Sequence, residues 1–166
     1  MEEEIMAIKY ECRIRFVKGT VDKWDEYVKV FENSALYDHY FKDKDYLREW
    51  MYGPLEKGNV IVAETEDEGE PVGVMVYDMM GMFGEFPYLA LLGVKESYRK
   101  QAVGSRLVDL YIDICKQAGF DKCFICVSHF NPRAKSLYQR KGFTPLVLIP
   151  DLIEKGINEW MLVKRL

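Results

Sequence analysis

Residues 86–118 combine three features that leave few folds open to this chain. The apolar segment FPYLALLGV (86–94) is typical of a buried strand, and residues 103–118 repeat apolar side chains at helical spacing up to Gly119. The basic turn YRKQAVGSRL (98–107) joins the two. At such a helix start the first backbone N–H groups have no partner and carry partial positive charge. The sequence therefore predicts either an ordinary strand-to-helix turn or a site for an anion.

The other segments extend this unit to an α/β fold, with a mixed central sheet and helices on both faces. Strands are predicted at 8–17, 60–65, 71–80, 86–94, 122–127, 143–149 and 158–166. Helices are predicted at 21–31, 43–52, 103–118 and 132–141, the second ending at Gly53-Pro54 and the last capped by Asn131. The 166 residues are expected to form a single domain over 1–166, in which residues 1–7 are disordered.

Composition narrows the class of partner. A net charge of −4 and a pI near 5.3 argue against a nucleic-acid-binding protein, which usually has a basic surface. The acidic start MEEEIMA lacks the basic and apolar parts of a secretory signal, and the longest apolar run is too short to cross a membrane. We therefore expect neither a nucleic-acid partner nor a membrane partner.

The four cysteines indicate a cytoplasmic protein with reduced thiols. Cys123 and Cys126 have the C-x-x-C spacing of metal and redox sites, but both lie in a predicted strand. Their side chains then point to opposite faces of the sheet. We therefore expect packed free thiols and no metal site.

Gly93 lies inside the strand predicted at 86–94. Glycine weakens strand pairing and often marks a bulge, or the close approach of another backbone or a ligand. A bulge here would separate this strand from the next and leave a wedge, with the basic turn at its mouth. Arg99, Lys100 and Arg106 would add mobile positive charge there. A ligand with a diphosphate end and an amide-bearing arm would fit this geometry.

The segments LLGVKESYRKQAVGSRL and NPRAKSLYQRKGF resemble the GNAT family of N-acetyltransferases in motif and in spacing. The acetyl-CoA signature of that family is R/Q-x-x-G-x-G/A. This chain has Arg99, Ala102 and Gly104 at those positions, with Ala102 in place of the more usual glycine. The resemblance covers about residues 60–164 and is weak over 1–58. It implies a GNAT-like acyl-CoA N-acyltransferase fold with acetyl-CoA as cosubstrate.

The resemblance also implies roles for individual residues. Leu92 and Val94 would offer backbone groups to the pantetheine arm, and Asn131 would hold the arm from the facing strand. Tyr138 matches the tyrosine that protonates the departing thiolate. The diphosphate would be cradled by the helix start, which follows Arg99 and comprises Gln101, Ala102, Val103, Gly104 and Ser105.

The residue pattern supports Tyr138 as the acid, with a core tyrosine as the alternative. Ala134, Leu137 and Tyr138 share one face of a predicted helix, and this face must turn toward the sheet. A phenol, with a pKa of about 10, and a thiol, with a pKa of about 8.5, are close enough in acidity for nearly balanced proton transfer.

The acceptor amine must also lose a proton. Glu85 and His129 are candidate bases by position, and Asp78 could act through a water molecule.

We therefore expect an N-acetyltransferase that moves an acetyl group from acetyl-CoA to a primary amine, a small molecule, by direct attack. Aromatic residues at 37–52 could line an acceptor pocket, although such clusters usually form core: Tyr37, His39, Tyr40, Tyr46, Trp50 and Tyr52. The alternatives are a non-catalytic acyl-CoA-binding or sensing module on the same fold, and a protein lysine or N-terminal acetyltransferase. A P-loop protein is disfavoured because no G-K-S/T follows the glycine region. A homodimer is a further candidate assembly.

Overall fold

The strands lie close to their predicted positions. The computed structural model describes residues 12–42 and 44–166. The disorder predicted for 1–7 lies outside these residues, as does the start of the strand predicted at 8–17. The strands are β1 (Ile14–Lys18), β2 (Val60–Thr65), β3 (Pro71–Met82), β4 (Phe86–Val94), β5 (Lys122–Ser128), β6 (Thr144–Ile149) and β7 (Glu159–Arg165). Within the described residues they form one seven-stranded sheet in the order β1-β2-β3-β4-β5-β7-β6.

Neighbouring strands pair antiparallel except for β4 and β5, which pair parallel. A parallel pair cannot be joined by a tight hairpin, and the connection from β4 to β5 runs through a helix. The prediction of a mixed sheet is confirmed.

The described residues contain the α-helices α1 (Trp24–Val30), α2 (Lys44–Glu56), α3 (Val103–Gln117) and α4 (Pro132–Arg140), and a π-helical turn, Tyr37–Phe41, precedes α2. The predicted end of the second helix at Gly53-Pro54 is wrong, because α2 continues through both residues. Met51 and Leu55, one turn apart, are only 0% and 4% exposed. Burial of this face therefore outweighs the hydrogen bond that Pro54 cannot donate.

Side chains along the strands alternate between two hydrophobic cores, one on each face of the sheet. Ile61 and Ala63 of β2 belong to the core that contains Leu107 and the other buried residues of α3. Val60 and Val62, the intervening residues, belong to the core formed with α1 and α2. Helices therefore cover both faces, as the sequence predicts.

The strands β4 and β5 pair over a very short length. The two residue pairs between them are Tyr88 with Phe124 and Leu89 with Ile125. Beyond these pairs β4 continues along β3, and β5 continues along β7. The sheet therefore opens between β4 and β5 towards the carboxyl ends of both strands.

A bulge in β4 accompanies this opening. Val76 of β3 lies opposite Leu91, and Tyr77 lies opposite Leu89, which leaves Ala90 as the extra residue of β4. An extra residue bends its strand and increases the local twist. The bulge therefore turns β4 away from β5 directly after their last shared pair.

The sequence predicts this bulge at the wrong residue, Gly93. Gly93 pairs regularly with Val74 of β3. A Cβ atom on Gly93 would lie 2.4 Å from Cε1 of Phe31, a ring that is 1% exposed. Glycine is thus required at 93 because the Phe31 ring packs on the backbone there, and not because of a bulge.

Candidate active site

The opening between β4 and β5 holds a cavity of about 610 Å³, a volume in the range of small-molecule sites. Its walls include the free edge of β4, the end of β5, the starts of α3 and α4, and residues of the segment 30–36. The start of α3 lines one part of the cavity, and the first residue of β7, Glu159, lines another.

The start of α3 has the features of an anion site. Ala102 precedes the helix and makes no side-chain cap hydrogen bond, so the first N–H groups of the helix receive no cap from it. Lys100 and Ala102 have φ values of 62° and 61°, in the left-handed region that favours glycine. A non-glycine residue in this region costs about 1–2 kcal/mol. The strained loop and the first turn of α3 line the cavity through Ala102, Val103, Gly104 and Ser105.

Gly104 leaves space beside this loop. A Cβ atom at Gly104 would lie 3.4 Å from Cγ2 of Val94 and 3.8 Å from Cδ2 of Leu137, which are ordinary contacts. All three residues line the cavity. An alanine would therefore fit at 104, whereas the branches of a larger side chain would extend into the cavity.

The prediction of mobile positive charge from Arg99 and Arg106 is wrong for both side chains. Arg99 donates to the Val94 carbonyl oxygen (3.1 Å) and, through its terminal nitrogens, to the carbonyl oxygens of residues 32 and 33. Arg106 lies over the Phe16 ring and is absent from the cavity wall. Cationic residues on the wall besides Arg99 are Lys100, Arg133 and Arg140. The sequence analysis missed the last two, which α4 carries to the cavity.

Most residues assigned to the cosubstrate by resemblance line the cavity. They are Leu92, Val94, Arg99, Ala102, Val103, Gly104, Ser105 and Asn131. Gln101 is the exception, because it is not part of the wall and its Nε2 donates to the Ser97 carbonyl oxygen. Asn131 caps α4 as predicted, with Oδ1 accepting from the Ala134 N–H at 3.3 Å.

Tyr138 lines the cavity and is also part of a core. Its side chain is 5% exposed and its ring packs edge-on against Phe143, with 6.4 Å between centroids. Burial raises the pKa of the Tyr138 phenol well above its ordinary value of 10.0. The phenol therefore keeps its proton at neutral pH, as a proton donor must.

Cys126 on β5 lines the same cavity, and burial raises the pKa of its thiol to about 11. The Cys126 thiol is thus a weaker acid than a thiol in water, because burial disfavours the thiolate.

The three base candidates from the sequence do not line the cavity. Glu85 lies exposed in the turn between β3 and β4. His129 is exposed, and its Nδ1 accepts from the Asn158 N–H at 3.0 Å. Asp78 is exposed and accepts from the Met80 N–H. The geometry therefore gives none of them access to an amine bound in this cavity.

Glu159 is a cavity residue that the sequence analysis missed. This first residue of β7 is 3% exposed, and its Oε1 accepts hydrogen bonds from the Tyr40 hydroxyl (2.6 Å) and from the Ser128 hydroxyl. Ser128 is the pairing partner of Glu159 across β5 and β7. The available signal was an acidic residue directly before the apolar run WMLV of the predicted strand.

The aromatic residues at 37–52 divide between core and cavity. Tyr40 and Trp50 line the cavity, with 5.7 Å between their ring centroids. Tyr37, His39 and Tyr52 are not part of its wall, and the side chain of Tyr46 lies outside the described residues. Burial, reinforced by the hydrogen bond to Glu159, raises the pKa of the Tyr40 phenol.

Among the side chains of residues 12–42 and 47–166, no group of three potential ligands lies close enough to hold a metal ion. The helices of this part of the chain include none of the length and hydrophobicity needed to span a membrane.

The chain matches a known family over most of its length. The model described as acetyltransferase (GNAT) family matches residues 23–143. Mycothiol acetyltransferase from Beutenbergia cavernae is 33% identical over 58 residues, which are 35% of this chain and 20% of that protein. The chain thus aligns with about a fifth of the length of this curated relative.

Solved structures resemble the whole chain at lower identity. Ard1 from Thermoplasma volcanium has a TM-score of 0.76 at 16% identity, covering 92% of this chain and 97% of that one. A chain of the NatC complex bound to Gag peptide and CoA has a TM-score of 0.67 at 17% identity, with 93% and 99% covered. At these identities the likeness shows the fold alone.

Proposed function

The chain belongs to the GNAT family of acetyltransferases and is an acyltransferase, and we propose that it moves the acetyl group of acetyl-CoA to the primary amine of a small molecule. The observation that carries this proposal is the single cavity that joins the uncapped start of α3 to Tyr138 through the free edge of β4. We also propose a cytoplasmic location, which the free thiols of the described cysteines support.

In the proposed complex the diphosphate lies against the backbone of residues 102–105. The partial charge of the α3 start and the Lys100 ammonium favour an anion at this position. The pantetheine arm runs along residues 90–94, whose edge on the cavity side is not paired with β5. Amide groups of the arm take the hydrogen bonds that a neighbouring strand would otherwise make.

Acetyl transfer needs no covalent enzyme intermediate, because a thioester is already activated. The neutral amine nitrogen attacks the carbonyl carbon and forms the C–N bond. The C–S bond then breaks, and its electron pair stays on sulfur. Tyr138 gives its phenolic proton to this sulfur, and the proton lost by the nitrogen passes to solvent, from which Tyr138 regains one.

Burial of Tyr138 does not spoil the balance of this proton transfer. Burial raises the pKa of the phenol, but the thiolate of CoA would form in the same cavity. Burial likewise raises the pKa of the Cys126 thiol, another acid on this wall, to about 11. Burial therefore acts on the phenol and on a buried thiol in the same direction, which limits the mismatch between their pKa values.

A small acceptor is favoured by the limited volume of the cavity and by the aromatic residues that line it. Tyr40 and Trp50 line it with 5.7 Å between their ring centroids, and its volume of about 610 Å³ must also hold part of the cosubstrate. A peptide acceptor is the competing candidate, because one structural relative was solved with a Gag peptide and CoA.

The test is release of free CoA from acetyl-CoA with a panel of small primary amines and peptides, with mass spectrometry of the products. We expect N-acetylated small amines and little reaction with peptides. Acetylation of peptides alone would overturn the small-molecule proposal. Binding of acetyl-CoA without turnover of any acceptor would support the non-catalytic alternative.

A further inference from the structure

Glu159 is a buried carboxylate on the cavity wall that the acetyl-transfer step leaves without a role. Its side chain is nearly inaccessible, and it takes part in none of the ion pairs formed among the side chains of residues 12–42 and 47–166. A buried carboxylate without a counter-ion is costly, and hydrogen bonds offset only part of this cost. Such a group calls for a positively charged partner.

The two oxygens of this carboxylate are used unequally. Hydrogen bonds from the Tyr40 and Ser128 hydroxyls both end on Oε1. Oε2 accepts neither of these bonds. Because every fully buried side-chain oxygen and nitrogen of the described residues has a partner, Oε2 must be accessible, and the accessible space beside Glu159 is the cavity. Oε2 is therefore available to a ligand, while the two hydroxyls fix the orientation of the carboxylate.

The walls beside Glu159 suit a cation with an apolar body. Tyr40 and Trp50 present aromatic rings to the cavity, and Tyr88 adds a third on β4. Aromatic faces attract cations, and more strongly where water is excluded. The cations of the wall, Lys100 and Arg133 among them, lie on the loop before α3 and on α4, and neither forms an ion pair with Glu159.

We propose that Glu159 binds the protonated amino group of the acceptor, and that the acceptor is a primary amine with an apolar or aromatic body and no carboxylate beside the amino group. The proposal rests on the function proposed above and narrows its substrate class. A carboxylate on the carbon that bears the amine would lie next to Glu159 in a water-poor site, where two like charges repel strongly. Amino acids are thereby excluded.

The contact between Glu159 and the bound ammonium also supplies the neutral, reactive form of the amine. One N–H proton of the bound ammonium moves to Oε2, which leaves a neutral amine and a protonated Glu159. The neutral nitrogen then attacks the thioester, and Glu159 returns its proton to solvent when the product leaves.

Two matched pairs of probes test the substrate class on the wild-type protein. Phenylethylamine differs from phenylalanine, and pentylamine from norleucine, only by the carboxylate beside the amine. We expect kcat/KM with acetyl-CoA to be at least about 10-fold higher for each amine than for its amino acid. Equal use of both members of a pair would overturn the proposal.

Glu159→Gln tests the residue, and Glu68→Gln, an exposed change of the same charge in the β2–β3 turn, is the control. Glutamine keeps an oxygen for the Tyr40 and Ser128 hydroxyls, removes the charge and replaces the acceptor Oε2 by an NH2 donor. We expect kcat/KM for the two amines to fall about 10- to 100-fold in Glu159→Gln, as for loss of a charged hydrogen bond. CoA affinity should stay within about twofold, and the control should match the wild type. Unchanged amine kinetics in Glu159→Gln would overturn the proposal.

Remaining outcomes are also decisive. If Glu159→Gln loses CoA affinity or folding, the matched pairs on the wild type decide alone. If the wild type binds CoA but acetylates none of the four probes, the amine panel described above decides whether the proposed function fails as well. Calorimetric titration of phenylethylamine into the CoA complex then measures amine binding without turnover. Binding to the wild type that is lost in Glu159→Gln supports the ammonium site. The absence of binding to the wild type refutes it.

Discussion

The Tyr40 hydroxyl donates a 2.6 Å hydrogen bond to Oε1 of Glu159, joining residues 119 positions apart in the sequence. It connects the π-helical turn Tyr37–Phe41 to the first residue of β7, and both side chains are at most 5% exposed. One bond thus fixes two walls of the cavity that come from opposite ends of the chain.

Tyr40→Phe is therefore expected to destabilise the protein. The change keeps the ring but removes one of the two donors to a buried carboxylate, a loss of about 1.5–3 kcal/mol. For a chain of this size the Tm should fall by several degrees. Tyr37→Phe, the same chemical change in the same turn, is the control for thermal unfolding followed by circular dichroism. Equal Tm values for the two variants would contradict the expected contribution of the bond.

Ala102→Gly is expected to stabilise the protein. Ala102 has a φ of 61°, which costs alanine about 1–2 kcal/mol but costs glycine almost nothing. After the greater chain entropy of glycine in the unfolded state is subtracted, the free energy of unfolding should rise by about 0.5–1 kcal/mol. Ala118→Gly, at a φ of −75°, should instead lower it. Urea titration of both variants is the measurement, and a loss of stability in Ala102→Gly would contradict the strain.

Gly104→Val is expected to weaken CoA binding at least about 10-fold, because the branches of valine extend from the α3 start into the space proposed for the diphosphate. Stability should change little, since the first atom added makes only ordinary contacts and valine has the higher helix propensity. Gly104→Ala is the matched control and should bind CoA more tightly than Gly104→Val. Calorimetric titration with CoA that gives equal affinities for wild type and Gly104→Val would remove the loop from the proposed site.

Tyr138→Phe is expected to lower kcat by about 10²–10⁴, the usual cost of losing an acid–base group. Affinity for acetyl-CoA should hardly change, because a hydroxyl aimed at the leaving sulfur acts mainly in the transition state. A role limited to the core predicts the opposite pattern, with reduced stability and preserved turnover. Steady-state kinetics and thermal unfolding together distinguish the proton-donor role from the core role. A kcat above about a third of the wild-type value would contradict the assignment of Tyr138 as the proton donor.

Alkaline pH is expected to unfold the protein cooperatively. Burial raises the pKa of the phenols of Tyr40, Tyr88, Tyr111 and Tyr138 above the ordinary value of 10.0. Below pH 10 both states hold these protons and stability does not depend on them. Above pH 10 the unfolded state loses them first, so each phenol lowers the free energy of unfolding by about 1.4 kcal/mol per pH unit. Tyrosinate absorbance should therefore rise together with loss of circular dichroism; ionisation of all tyrosines in a folded protein would contradict it.

The sequence predicts the strands and helices well because their patterns are local. The segment 86–94 coincides with β4, and Asn131 with Pro132 marks the start of α4. Failures occur where a distant residue decides the outcome. Packing of the Phe31 ring on Gly93 gives that glycine a purpose unrelated to a bulge, and no local pattern reports it.

The part of the cavity proposed to bind the cosubstrate diphosphate, at residues 102–105, is predictable from the sequence because one contiguous turn forms it. The acceptor end is not, since it is assembled from the π-helical turn, α2, β5 and β7, far apart in the sequence. The predicted bases, Glu85 and His129, follow only from their positions near strand ends, and both lie outside the cavity wall. Glu159 lies on that wall, and no local pattern predicts it. The homodimer and the acceptor's identity stay predictions.

Two residue pairs are all that join β4 to β5. The main-chain connection between β1–β4 and β5–β7 is thus shortest where acetyl transfer is proposed to occur. A cosubstrate whose arm bonds to the free edge of β4 and is held from the β5 side by Asn131, as the resemblance implies, would add a second connection for as long as it is bound, because a ligand that binds only the folded sheet stabilises it. The force needed to separate the two halves of the sheet would then vary through each catalytic cycle. The protection of the central backbone amides against hydrogen exchange would vary in the same way. Both would be greatest with the cosubstrate bound and least after CoA departs.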